Sequence, residues 1–530
     1  MGAVMFCFVS SWYSGNEKWH ANESPWYRPG DAYAFDDTIN QIRMFRAASE
    51  PVQLMSLAYA PGLRMFLHRQ NLYPMEVWNL YDEMQGIAVR KLGVISWQSL
   101  EWPRNLLWRY TPFAMVGFLG RERYAELSFG ENGNLVRVDY YSHERVRRCD
   151  FYDDRGFRSS SIYCDESGNE QQEYCDEDGT PQFLEDKGSG HVTILPAASG
   201  RFCRKIYESA DQMMEEILRR HFLDMDPETT VVVAANQVHN QMILRARRGQ
   251  AIVFSYFEDR FDLKNAEALK RDLAGARFAV TDTEHSAGII REETGTEMQI
   301  YDISPFDTRL SLGKSQRIRE LKIFMPVDGL EGFLLETAMT QVFSYMEKNR
   351  RVVLQVATQT EQEERKQELI WELEQILEKN GFTGLGICLG KEAEDAAKVE
   401  EKKNRVEIVS YQTEHDLIQK LYDVRLILDV RDQPDLYLQI AGISAGIPQV
   451  NYRFTRYVQH QKDGYIIQNI HYITGALEYY LSELVHWNEA LVYCVKEIEK
   501  YTGGSLVQQW KLAVKDESFE FGESGEHHAG

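Results

Sequence analysis

The chain has 530 residues, 43% hydrophobic and 12% aromatic, which is enough for about three or four domains with real cores. Its 59 basic and 81 acidic residues give a formal charge of −22, which argues against a nucleic-acid backbone or an anionic membrane as main electrostatic partner. No run approaches the roughly 18 apolar residues of a membrane span, and the apolar start is too short for a signal peptide. The seven cysteines are scattered without a Cys-x-x-Cys pair, so we expect free thiols in the cytoplasm.

The first 120 residues alternate short apolar strands with amphipathic helices. Val4–Val9 is predicted to be the first strand, either Asp36 or Asp37 caps the next helix, and Leu54–Tyr59 forms a second strand. Strands that alternate with helices predict a parallel sheet with a cleft at the carboxyl ends of its strands.

Residues 121–200 lose the helical period and carry the glycine turns GENGN, YDDRGF, CDESGN and CDEDGT. The turn glycines Gly156, Gly168 and Gly179 are 12 and 11 residues apart, a spacing typical of an antiparallel meander. We therefore predict a β-sheet inserted in the first domain. The ten acidic residues from Asp150 to Asp178 are interpreted as solvated turns, because they do not converge as calcium-loop ligands do.

Polar and aromatic side chains follow two predicted strands of the first domain. Trp12 and Tyr13 lie in the loop after the first strand, and Asn236 and His239 follow the apolar run TTVVVAA. The carboxyl ends of parallel strands meet at one edge of a sheet, so these side chains are candidate cleft residues. We interpret them as a polar cleft wall, with a catalytic His239 as the alternative.

A second strand–helix series begins at Leu321–Met325 and contains VRLILDVRDQPDLYLQIAGISAGIPQVN at 424–451. This stretch predicts a buried strand, a short helix capped by Asp435, a left-handed stop at Gly446, and another strand. A helix N-terminus at the carboxyl end of a parallel strand offers N–H groups to an anion, so the stretch is a candidate phosphate site that includes Gly442.

Between the two series lies ISPFDTRLSLGKSQRIRE, with Arg309 and Lys314 in a local basic cluster. The cluster fits an acidic partner surface, a residual phosphate, or surface charge at a hinge. LGKS at 312–315 is not a P-loop, because Thr308 stands where the motif requires glycine. No set of His, Cys or acidic residues has the spacing of a zinc site.

Several long motifs occur in one order: SWYSGNEKWH, FYDDRGF, AANQVHN, SPFDTRLSLGKSQRIREL and PDLYLQIAGISAGIPQVN. Together they resemble the first accessory secretory protein of the bacterial accessory Sec system, over about Met5 to Trp510. The resemblance implies a GT-B-like α/β fold, a pair of Rossmann-like domains with an antiparallel β-sheet insertion in the first. It implies no cofactor, and a cytoplasmic protein peripheral to the inner face of the plasma membrane.

The resemblance also implies a role in the export of glycosylated serine-rich-repeat adhesins. The implied partners are the second and third accessory secretory proteins, the accessory Sec motor ATPase and the adhesin substrate, with no nucleic acid. The predicted domains are an N-terminal Rossmann-like domain (1–120 and 201–318), the insertion (121–200), a C-terminal Rossmann-like domain (319–475), helices that return to the N-terminal domain (476–512) and a disordered acidic tail (513–530). The last helix is predicted to run unbroken from Trp487 to about Lys511.

Retaining GT-B enzymes, which the second half resembles, carry two donor-site glutamates seven residues apart and two cations for the leaving group. Alignment on the GIP stop places Gln433 and Ala441 where the glutamates stand, and Asp328 where the cations stand. The sequence therefore favours a non-catalytic scaffold. The alternatives are an active transferase with a UDP-sugar donor, or a lectin-like reader of substrate glycans that uses Trp12, Tyr13 and Trp19.

Overall fold

The structure is a computed structural model that describes residues 5–14, 17–21, 35–130, 132–309, 315–360, 362–389 and 404–515. The chain forms two compact units. The first comprises residues 1–33, 49–280 and 289–301, and the second comprises 34–48, 281–288 and 302–530. No helix in the described ranges is long and apolar enough to cross a membrane.

The chain begins with alternating strands and helices, as its apolar pattern predicts. In chain order these are β1 (Phe6–Val9), α1 (Asp37–Ala47), β2 (Val52–Ser56), α2 (Leu63–Arg69), β3 (Val77–Asn79) and α3 (Leu80–Gln85). Asp36 rather than Asp37 caps α1, because its side chain accepts the backbone N–H of Ile39 at 2.9 Å.

An antiparallel sheet of ten strands follows, and each strand pairs with the next along the chain. The strands are β4 (Leu107–Tyr110), β5 (Met115–Leu119), β6 (Glu122–Phe129), β7 (Leu135–Ser142), β8 (Arg145–Tyr152), β9 (Arg158–Cys164), β10 (Glu170–Cys175), β11 (Pro181–Asp186), β12 (Val192–Ile194) and β13 (Ile206–Tyr207). The turn glycines Gly156, Gly168 and Gly179 all adopt positive φ, between 80° and 92°. The predicted meander is present.

This sheet is wider than the predicted range 121–200 at both ends. The first two strands escape prediction because the turn that joins them, Thr111–Ala114, holds a proline in place of the expected glycine. Its backbone bond from the N–H of Thr111 to the carbonyl of Ala114, at 2.9 Å, closes the turn without a residue of positive φ.

The FYDDRGF turn between β8 and β9 joins the inserted sheet to helices α2 and α3 within the first unit. Arg155 is buried between Asp82 of α3, at 2.8 Å, and Asp153, at 2.6 Å. The carboxylate of Asp154 accepts the backbone N–H groups of Arg64 and Met65 at the start of α2. The charged motif is therefore accounted for by contacts inside the unit.

After the insertion the first sheet resumes. Its remaining elements are α4 (Ala210–Asp224), β14 (Thr230–Ala234), α5 (Asn240–Ala246), β15 (Ala251–Tyr256), α6 (Ala266–Leu273), β16 (Phe278–Thr281), α7 (Glu284–Thr294) and β17 (Ile300–Asp302). The strand order is β17-β16-β15-β14-β1-β2-β3, and the pairs from β3 to β15 are parallel. Every residue of β1 and β14 is buried, as expected for central strands covered on both faces.

The second unit holds a seven-stranded parallel sheet in the order β20-β21-β19-β18-β22-β23-β24. Its elements are β18 (Leu321–Pro326), α8 (Gly332–Lys348), β19 (Val352–Thr358), α9 (Glu363–Lys379), β20 (Gly386–Leu389), β21 (Asn404–Ser410), α10 (Glu414–Leu421), β22 (Val424–Asp429), α11 (Leu436–Ala445), β23 (Gln449–Asn451), β24 (Gly464–Ile466), α12 (Ile473–Leu481), α13 (Leu484–Ile498) and α14 (Gly503–Lys515). Both parallel sheets thus show the Rossmann-like alternation of strand and helix.

The prediction of one long C-terminal helix is wrong. A 3-10 turn at Glu499–Tyr501 separates α13 from α14, and Thr502 is extended, because the following Gly503 and Gly504 favour a break over a continuous helix. Helix α14 also continues to Lys515, into the predicted tail, whereas 516–530 lie outside the described residues.

Candidate functional site

In the first unit, Tyr13 and His239 meet at the carboxyl ends of β1 and β14. His239 is fully buried, and its Nε2 lies 2.9 Å from the carbonyl oxygen of Ala234, to which it donates. Its Nδ1 then accepts the hydroxyl of Tyr13 at 2.7 Å. Burial lowers the pKa of His239 to about 3, so the ring is neutral at pH 7. Both ring nitrogens are thereby used in holding the first loop onto β14.

The other two candidates of this edge are also held by internal contacts. Asn236 donates from Nδ2 to the Ser11 hydroxyl at 2.7 Å, and its Oδ1 accepts the N–H of Val238 at 2.9 Å. Trp12 is buried and packs edge-to-face on Phe66, with ring centroids 4.9 Å apart. Of the four candidates, the structure brings Tyr13 and His239 into direct contact. Asn236 and Trp12 contact other neighbours, and all of these contacts serve to position the loop.

Trp19, the third aromatic residue of the lectin-like alternative, is buried as well. Its indole N–H donates to Asp211 at 2.8 Å, and its ring meets Tyr13 edge-to-face at 5.5 Å. Stacking on a sugar requires an exposed ring face, so this geometry gives no support to glycan binding through the first loop.

In the second unit, the candidate phosphate site is the N-terminus of α11. The carboxylate of Asp435 accepts the N–H of Leu438 at 3.0 Å, and the N–H of Tyr437 also stabilises its ionised form. Burial nevertheless raises the pKa of Asp435 above its usual range. The N–H groups that would bind a phosphate are therefore directed at a carboxylate of the chain itself, which would repel a second anion.

A cation that the sequence analysis missed lies beside this helix. Arg431 donates two hydrogen bonds to Asp429 at the end of β22, from Nε at 2.9 Å and from Nη2 at 2.7 Å. Burial alone would lower the pKa of Arg431, but Asp429 and, to a smaller extent, Asp435 raise it above its usual value. Asp429 also accepts the N–H of Asp435 at 3.2 Å. The guanidinium is thus neutralised within the chain. The only sequence signal is an aspartate two residues before it.

Asp328, at the end of β18, is likewise used internally. It accepts the hydroxyl of Thr358 and the N–H of Gln359, each at 2.6 Å, which joins the ends of β18 and β19. Gln433 is exposed in the loop before α11, and Ala441 is buried within the helix. Tyr437, in the first turn of α11, packs against Phe35, with the ring centroids 4.8 Å apart.

The two candidate glycines of α11 serve packing and termination. A Cβ at Gly442 would lie 2.6 Å from Nε2 and 2.9 Å from Cδ of Gln449, so the glycine permits close contact between α11 and β23. Gly446 ends the helix in the left-handed conformation, with φ of 70°, as predicted.

Arg309 contacts two acidic residues. Its guanidinium pairs with Asp307 and lies 3.8 Å from Glu414, which also binds Arg43 at 2.9 Å. Lys314, the other candidate of the basic cluster, lies outside the described residues. In the described part of the chain, no group of His, Cys, Asp or Glu is arranged to hold a metal ion.

The family model for the accessory Sec system protein known as accessory secretory protein 1 matches residues 5–517. The chain belongs to this family. An accessory secretory protein 1 from Streptococcus gordonii is 32% identical to it over 523 residues, which cover 97% of this chain and 99% of the relative. The family resemblance found in the sequence is confirmed.

Solved structures confirm the fold of this accessory secretory protein 1 family member. A crystal structure of accessory secretory proteins 1, 2 and 3 from Streptococcus pneumoniae contains a chain 28% identical to this one, with a TM-score of 0.80 over 96% of this chain and 99% of that one. The pneumococcal O-GlcNAc transferase GtfA, solved with UDP and GlcNAc, has a TM-score of 0.68 over 97% of this chain and 99% of its own, at 13% identity. The second likeness shows the GT-B-like fold alone.

Proposed function

We propose that this chain is a non-catalytic GT-B-like subunit of an accessory Sec complex. The observation that carries the proposal is the state of the α11 N-terminus, where Asp435 occupies the place of an anionic ligand. The bond between Arg431 and Asp429 supports it further, because a cation already neutralised cannot stabilise the charge that develops on a departing diphosphate. Gln433 and Ala441 supply no carboxylate near the helix.

In this role the chain is a scaffold for the export of glycosylated serine-rich-repeat adhesins. Family membership supports the role, and so does the pneumococcal structure in which accessory secretory proteins 1, 2 and 3 occur together. The chain contacts its own second and third accessory secretory proteins, and through them the motor ATPase, the adhesin and the inner face of the membrane.

Two measurements on the intact chain test the proposal. Isothermal titration calorimetry with UDP and UDP-GlcNAc is expected to show no binding, because Asp435 would have to leave the helix N-terminus. Co-purification with the organism's accessory secretory proteins 2 and 3 is expected to give a stable complex. Turnover of a UDP-sugar with a serine-rich acceptor would establish the transferase alternative instead, and a chain that stays alone in the three-protein mixture would remove the scaffold role.

A further inference from the structure

Helix α13 is apolar on two opposite faces. Its inner face packs in the core through Trp487, Ala490 and Cys494, which are all buried. Seven of its positions are exposed, and four of them carry aliphatic side chains: Leu484 (55% exposed), Val485 (54%), Val492 (58%) and Val495 (46%). A helix whose only partner is the core beneath it normally carries polar residues on its outer face. Contacts among the residues that the structure describes therefore do not explain the outer face of α13.

The exposed residues follow the spacing of a helix–helix interface. Val485, Asn488, Val492 and Val495 are separated by three, four and three residues, which is the a–d pattern of two heptads. We call these four residues the α13 seam. Valines at such positions pack as knobs against a neighbouring helix, and one polar Asn in the row is a common way to fix its register.

Contacts on the flanks of the helix hold the seam outward. His486 stacks on Tyr479 of α12, with ring centroids 3.8 Å apart, and Tyr493 donates to Gln459 at 2.7 Å. The indole of Trp487 donates to the carbonyl oxygen of Arg425 at 2.8 Å. These bonds fix the rotation of α13 about its axis, so the seam cannot turn into the core.

We propose that the α13 seam binds an amphipathic helix of another subunit of the complex. The inference rests on the proposed function and adds the surface and the kind of partner. The charges beside the seam specify the partner: Glu489 and Lys496 flank it one heptad apart, so they favour a helix that presents a base and an acid in the matching order.

Two other occupants fit the seam less well. A helix that lies on an anionic membrane carries mostly Lys and Arg beside its apolar face, whereas the flanking pair here sums to zero charge. A second copy of this chain would pair two helices of only about 22 Å each, and one such short helix pair buries much less than the roughly 1,600 Å² of a stable interface. A different subunit that also contacts the chain outside the seam would bury additional area, so the short length of α13 does not limit its interface.

The test measures binding of the intact chain to accessory secretory proteins 2 and 3, with charge introduced in the seam. Val485→Glu and Val492→Glu are each expected to weaken binding of one of these proteins by about tenfold or more. Trp371→Glu is the matched control, because Trp371 is 62% exposed on α9, outside the seam, and its substitution should leave the affinity unchanged. Since the substituted side chains are exposed, circular dichroism and thermal melting should show all three variants folded.

A second measurement is hydrogen–deuterium exchange, in which residues 488–498 should exchange more slowly in the complex than in the free chain. Unchanged affinity of both seam variants would overturn the inference and leave the scaffold role intact. If the unmodified chain binds neither accessory secretory protein, both the inference about the seam and the proposed scaffold role are wrong. Two other results would overturn the inference: self-association of the chain in light scattering, or flotation of the chain with phosphatidylglycerol vesicles. Either result counts only if Val485→Glu abolishes the self-association or flotation and leaves binding of the other subunits unchanged.

Discussion

Asp463 is a buried carboxyl group whose ionisation opposes folding. Its Oδ1 accepts the N–H of Gln459 at 2.7 Å, and its Oδ2 has no hydrogen-bond partner among the described residues. Burial raises the pKa of Asp463 to about 7, with a further increase from Glu497. The pKa of Asp463 in the folded chain is higher than the usual 3.8 of the unfolded chain. The full stability of the fold is therefore present below pH 3.8, and stability is lost as the pH rises from 3.8 towards 7.

We therefore expect Asp463→Asn to stabilise the protein clearly more at pH 8 than at pH 5, where only part of the stability has been lost. The expected gain at pH 8 is about 2–4 kcal/mol, since each pKa unit corresponds to about 1.4 kcal/mol. Denaturant unfolding at the two pH values measures it. Asp178→Asn, at an exposed turn, is the control and should show no such difference. A gain of equal size at both pH values would contradict this account of Asp463.

The titration of His239 changes stability with pH in the opposite direction to that of Asp463. Its folded-state pKa of about 3 lies below the usual 6.5, so stability is lost as the pH falls from 6.5 towards 3, where the unfolded chain binds a proton that the folded chain excludes. The sequence placed His239 and Tyr13 at one edge of the sheet, because both follow strands. It could not predict the bond between them, which depends on side-chain orientation.

At the scale of single elements, α11 is predictable because each of its signals is local. Asp435 caps it, Gly446 ends it, and the apolar residues between them leave no alternative to a buried helix. The ligand-site interpretation of the same element depends on non-local contacts. Whether an N-terminus is open to an anion depends on where Asp435, Arg431 and Asp429 point, and no spacing rule encodes that.

Two glycines in helix interiors are expected to respond oppositely to alanine. Gly442→Ala should destabilise the chain by about 1–3 kcal/mol, because the new Cβ would lie 2.6 Å from Nε2 of Gln449 and 3.0 Å from Cδ1 of Ile427. Gly475→Ala in α12 meets nothing within 4 Å and should stabilise it by about 0.5–1 kcal/mol through helix propensity. Thermal melts of the two variants give the comparison, and a gain for both would show that α11 can move away from β23.

At the scale of the whole chain, the two Rossmann-like sheets and the insertion are predictable from alternating periods of hydrophobicity. The break between α13 and α14 is not, because apolar residues continue on both sides of the two glycines. Contacts between distant segments are also beyond the sequence: α14, near the C-terminus, packs on α1, and the ring centroids of Trp510 and Phe45 lie 6.4 Å apart.

Trp510→Ala tests how much this long-range contact contributes. The side chain is fully buried, so its removal should cost about 3–5 kcal/mol in the free energy of unfolding. Gln508→Ala, at an exposed position of the same helix, should stay within about 0.5 kcal/mol. Chemical denaturation followed by tryptophan fluorescence and circular dichroism distinguishes the two. If the two variants have equal free energies of unfolding, the contact between α14 and α1 contributes nothing measurable to stability.

The pairing of β1 with β14 has a consequence for synthesis of the chain on the ribosome. Phe6 lies opposite Thr230 in the central pair of the first sheet. At about 5–20 residues per second, roughly 10–45 seconds separate the emergence of these two strands. The antiparallel insertion, made of neighbours in sequence, can form during that interval, whereas β1 exposes an apolar edge until its partner arrives. Nascent chains of this fold are therefore expected to need chaperone protection before residue 230 and much less after it.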